Sequence, residues 1–63
     1  MNQQTHINAI KRSDAIISKL GTKIQEAYEK GRMLDYEEYL HKLEIAANFN
    51  LFLKQTYDTK YNN

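Results

Sequence analysis

The chain has 63 residues, a formal net charge of +1, no cysteine, no proline and two glycines. A domain this short buries only about 60% of the surface its unfolded chain exposes, and without cysteine neither disulfides nor thiolate metal centres can supplement the core. Two histidines alone cannot complete a zinc site, so self-association or a partner is the expected source of further stability.

Abundant Ala, Leu, Ile, Lys, Glu and Gln make the composition helical. Residues 1–4 are polar and expected to fray. A first helix is predicted over about 5–30, with Thr5 as N-cap and Ser13-Asp14 as an alternative start. At 100° per residue, Ile10, Ser13, Ile17, Leu20, Ile24, Ala27 and Tyr28 gather on one side, flanked by Ile7 and Ile16 and widened by Ala9. Gly21 lies on the rim of this stripe, where it costs about 1 kcal/mol relative to alanine; close packing or a mild bend would account for it. Gly31 is the natural stop, since glycine takes the left-handed conformation after a helix without penalty. Lys30 and Arg32 suit the negative helix end. The loop at 31–34 is short and therefore favours an antiparallel neighbour.

The second helix is predicted over about 36–57. Asp35 as N-cap, Glu38 three residues on, and a staple between Leu34 and Tyr39 all mark the same start. Tyr36, Tyr39, Leu40, Leu43, Ala46, Ala47, Leu51 and Tyr57 occupy one broad side, expected to pack on the first helix. Ile45, Phe49 and Phe52 form a row on another face at i, i+4, i+7, with Leu53 on the border of the main stripe. One neighbouring helix cannot cover both sides. The row is expected to be an interface, made by Ile45, Phe49, Phe52 and Leu53, for a second copy or a foreign protein. The competing arrangement breaks the first helix near Ser13 and folds its leading segment over the row. Asn50 falls within the main stripe, where a polar side chain either fixes register or sits at a solvated margin. The fold expected is an all-α antiparallel two-helix hairpin, dimerising into a four-helix bundle.

No catalytic constellation emerges. Glu37 and Glu38 diverge by about 100° on a helix and are explained by the helix start. His41 and Glu44 have an i, i+3 spacing used in metal-binding bundles, but the pair lies off the apolar side and is expected to be solvated. His6 is near the frayed end and reads as plain. There is no glycine-rich phosphate loop, so neither an enzyme nor a cofactor is expected. Four of the five tyrosines, Tyr28, Tyr36, Tyr39 and Tyr57, suit core margins.

Charge is unevenly spread. Residues 1–34 carry six basic and three acidic side chains, residues 35–63 three basic and five acidic. Arg12, Lys19, Lys23 and Lys30 fall within about 40° on the first helix, a stripe of roughly 27 Å. It is expected to be solvated or ion-paired with Glu37, Glu38 or Glu44; its alternative use is to track nucleic-acid phosphates. No apolar run reaches the ~18 residues of a membrane span, and residues 1–10 lack the basic start and apolar stretch of a signal peptide, so a cytoplasmic protein is expected.

In length and predicted hairpin the chain resembles the plasmid RNA-modulator family, whose two-helix chains dimerise into four-helix bundles; the likeness is architectural and carries over no functional residue. The sporulation aspartyl-phosphate phosphatases are also small hairpins, but the segment nearest their Ser-Gln-Glu-Leu-Asp motif, Leu40-His41-Lys42-Leu43-Glu44, lacks the serine and the aspartate. The function expected is a small non-catalytic helical interaction protein that binds and modulates a protein partner as a homodimer. The alternative is a nucleic-acid-binding helical dimer using the basic stripe.

Overall fold

A computed structural model of the chain describes residues 2–62. It consists of two helices, α1 (Gln3–Glu29) and α2 (Met33–Tyr61), packed side by side in a rod of 46 × 15 × 15 Å between Cα atoms. The all-α antiparallel hairpin is the observed fold. Its ends differ from the expected ones, each for a local reason.

α1 starts two residues earlier than expected. Asn2, not Thr5, is the N-cap: its Oδ1 accepts from the Thr5 backbone N–H at 2.8 Å, and asparagine is the better capping residue of the two. The extra turn brings His6 into the helix body. α1 then runs unbroken past Ser13 and Gly21, so no leading segment folds back over α2.

Gly31 ends α1 with φ +69°. The Arg32 N–H donates to the Ala27 carbonyl at 2.8 Å and the Gly31 N–H to the Tyr28 carbonyl at 3.2 Å. This pair of bonds is a Schellman motif, which requires a left-handed residue at its turn. The chain leaves the motif already aimed into α2, which begins at Met33 rather than at 36. Arg32 is therefore the N-cap and offers no side-chain bond. Asp35 sits inside the first turn, where its charge still favours the helix dipole. Leu34 is 85% exposed, so the expected staple with Tyr39 does not form. α2 ends at Tyr61, a turn beyond 57, because Tyr57 and Tyr61 both pack on His6, with ring centroids 5.5 and 6.0 Å away.

The seam follows a heptad rhythm. His6, Ile10, Ser13, Ile17, Leu20, Ile24 and Ala27 face Tyr36, Tyr39, Leu43, Ala46, Asn50, Leu53 and Tyr57, every one buried or half-buried. Alternating steps of three and four are those of coiled-coil packing. Three placements differ from expectation. Leu53 belongs to the seam, at 4% exposure, and not to an outward interface, while Leu51 and Ala47 are exposed; Tyr28 lies at the core margin suggested for it, its ring 5.9 Å from that of Tyr36. The seam of α2 is centred on Ala46, Asn50, Leu53 and Tyr57, which turns Leu53 inward and leaves Ala47 and Leu51 on the outer flank.

Only Ala27 and Leu53 are buried apolar residues among those described, each 4% exposed. Such a core is small even for a domain of this length.

Candidate functional site

Beside the seam, one face of the hairpin carries an open groove of about 590 Å³. Ala9, Arg12, Ser13, Ile16 and Leu20 of α1 form one wall; Lys42, Ile45, Ala46 and Phe49 of α2 form the other. The floor is almost wholly apolar, because the small Ala9, Ser13 and Ala46 leave room between larger neighbours. Ile45 and Phe49 are 58% and 55% exposed. Phe52 continues the row at 59%, its ring stacked on Phe49 with centroids 6.2 Å apart and planes at 27°. About half of each side chain thus remains in water, leaving roughly 1 kcal/mol of burial unrealised per residue. Ile45 and Phe49 of the sequence-predicted row are brought together with Ile16 and Leu20 of the other helix, Phe52 extends the row beyond them, and Leu53 is withdrawn from it into the seam.

The basic side chains divide. Arg12 stands at the groove's edge. Lys23 and Lys30 share a shallow depression with Glu26 and Asp35, and Lys23 Nζ lies 5.6 Å above the Tyr39 ring. Lys19 is exposed. The ion pairs among the described residues involve none of these four cations: Lys42 bonds Glu38 within α2 at 3.3 Å, and the bridge across the hairpin joins Lys54 to Asp14 at 3.2 Å. Carboxylates interleave with the cations, so they do not form an unbroken phosphate track.

A polar layer crosses the seam beneath the groove. Asn50 Nδ2 donates to Ser13 Oγ at 3.0 Å and to Asp14 Oδ1 at 2.9 Å. This bond, joined by that from Lys54, holds the Asp14 carboxyl below the usual carboxylate range. Asn50 is therefore a seam residue and not a solvated margin. His6 is missed by sequence reasoning altogether. It is 3% exposed, and its Nε2 lies 2.8 Å from the Leu53 carbonyl oxygen. A carbonyl only accepts, so Nε2 carries the proton. The signal that places His6 is the heptad step back from Ile10 and Ser13, visible once α1 is known to start at Gln3. Among the described residues no buried side-chain nitrogen or oxygen lacks a hydrogen-bond partner.

His41 and Glu44 are both exposed, and no group of three or more His, Asp or Glu among the described residues is placed to hold a metal ion. No described helix is long and apolar enough to cross a membrane. Comparison with known protein families, curated proteins and solved structures finds no match.

Proposed function

We propose that this chain is a small non-catalytic interaction protein, which associates with itself as a four-helix bundle and in that form binds and modulates another protein. The observation that carries the reading is the groove. Ile16, Leu20, Ile45 and Phe49, with Phe52 beside them, present a continuous apolar face that the chain leaves open. Contiguous aromatic and aliphatic rows of this kind mark interfaces, whereas scattered apolar residues do not. Docking of one helix face on another is the mechanism such a groove serves. Leu51 and Tyr28, exposed on the flank turned away from the groove, stay accessible when two hairpins join.

Sedimentation equilibrium over a concentration series, on wild type and Phe49→Asp, tests this. The expected result is a wild-type dimer and a monomeric, still helical variant. A wild type that remains monomeric at every concentration refutes self-association. Tight binding to duplex RNA or DNA that falls steeply with salt and is lost on Lys19→Ala/Lys23→Ala would replace the reading with a nucleic-acid one, because counterion release marks phosphate contacts.

A further inference from the structure

Which way a second copy would lie on the groove is written in the sizes and charges of its two walls. The α1 wall is small at its open end, with Ala9 and Ser13, and basic along its edge, with Arg12, Lys19, Lys23 and Lys30. The α2 wall is the larger, with Ile45 and Phe49 around Ala46 and Phe52 continuing the row, and it carries Asp35 and Glu38 nearer the loop, Glu38 paired with the wall's Lys42.

We propose that the groove is covered by a second copy of this chain about a two-fold axis running parallel to the helices, so that α1 of each chain stacks on α2 of the other and both loops lie at one end. The inference rests on the self-association proposed above and fixes its geometry. Ser13 stands level with Asn50, and Tyr28 with Tyr36, so residue n of α1 lies level with about residue 63 − n of α2. In the parallel-axis pairing, Ala9 then meets Phe52 of the other copy, Ile16 falls between its Ile45 and Phe49, and Lys23 and Lys30 come level with its Glu38 and Asp35. Large side chains enter small gaps, and opposite charges meet. The other two-fold pairing, with loops at opposite ends, stacks α1 on α1. It sets Arg12 beside Lys19 of the other copy, leaves the Ala9 gap facing a like wall, and crowds the large Ile45 and Phe49 of one copy against those of the other. Like charges brought together disfavour a pairing, and both voids and overpacking cost stability.

The area is adequate. A face 46 Å long and 15 Å wide offers about 700 Å², near the roughly 800 Å² each partner contributes to a standard interface. The weak core of one hairpin also calls for a cover that is always present, which a second copy is.

The absence of cysteine allows a single label at Leu34→Cys, an exposed site in the first turn of α2. Pulsed dipolar spectroscopy on the nitroxide-labelled dimer should give a separation of about 20–30 Å, set by helix spacings of 8–10 Å plus the label arms. A separation near the 46 Å rod length overturns the proposed axis while leaving self-association intact. The absence of any dipolar coupling, with a monomeric sedimentation profile, overturns both. As an independent check, oxidising an equimolar mixture of Ala9→Cys and Phe52→Cys chains should give a mixed disulfide-linked dimer; an Ile16→Cys chain that instead links to itself in high yield overturns the arrangement.

Discussion

Replacing Asn50 separates what the polar layer contributes from what simple burial would. In Asn50→Ala the bond to Ser13 disappears, worth about 1 kcal/mol net for a neutral pair. The amide also leaves a small gap at a site 7% exposed, and loss of its packing adds up to about 1 kcal/mol. The bond to the half-exposed Asp14 carboxylate is screened by solvent and adds little. The expected loss is about 1–2 kcal/mol, a large share of the 3–5 kcal/mol a core of this size supplies. Asn50→Leu loses the same bond but buries an aliphatic side chain worth about 1.5–3 kcal/mol, so it should lie within about 1 kcal/mol of wild type or above it. Urea denaturation followed by circular dichroism at 222 nm, at one chain concentration throughout, measures both. Concentration matters because association couples to folding. If Asn50→Ala falls within 0.5 kcal/mol of wild type, the polar layer contributes nothing to stability and the reasoning from its geometry fails.

Gly31→Ala should cost about 1 kcal/mol, since alanine at φ +69° is strained; an unchanged thermal midpoint would contradict the Schellman turn. Gly21→Ala should stabilise by about 0.5–1 kcal/mol, because nothing lies within 4 Å of the added Cβ; if it instead weakens dimerisation, the flank bearing Gly21 is an interface. The Asp14 carboxyl should titrate by NMR below its ordinary 3.8 and move upward in Asn50→Ala. Because its folded-state value is the lowered one, its contribution to stability is complete above the unfolded value and is lost as pH falls through the folded one. His6→Ala should expose the amides of the first two turns of α1 to faster hydrogen exchange, since it removes the bond to Leu53 and the contacts with Tyr57 and Tyr61; unchanged exchange there would mean the histidine does not hold that end.

The hairpin was legible because three signals agreed: apolar residues at helical spacing, no proline, and a glycine where the chain turns. The aromatic row was legible for the same reason, since Ile45, Phe49 and Phe52 need only their spacing to share a face. What stayed hidden were the residues whose burial depends on a partner across the seam. His6 reads as plain near the helix end, and although Ser13 and Asn50 fall on the apolar stripes, nothing in their spacing pairs them with each other or with Asp14. Their burial becomes favourable only when a donor meets an acceptor on the other helix. Leu53 lies on the border of the stripe in projection, so its burial is decided by the register of the seam and not by its spacing alone. The helix starts were misplaced for a related reason: the Asn2 cap outcompetes Thr5, and the Schellman turn launches α2 without any side-chain cap.

The hidden polar layer and the visible groove are linked through register. A slip of α2 along α1 by one heptad would preserve the rhythm of the seam, moving the chain by about 10 Å at 1.5 Å per residue. It would set Asn50 against Leu20 or His6 instead of Ser13. Against Leu20 the amide would lie buried without a partner, at a cost of about 1–3 kcal/mol. The short turn at Lys30–Arg32 resists such a slip from one end; Asn50 and the His6 bond to Leu53 resist it from the other. The groove exists only in the register they enforce, since Ser13 and Ile16 must lie level with Phe49 and Ile45 for its two walls to stand side by side. A variant that releases the register, such as Asn50→Leu combined with Ser13→Ala, should therefore keep its helicity while its dimer weakens or becomes heterogeneous. Sedimentation that shows an undiminished, single dimer in that variant would break the proposed link between seam and surface.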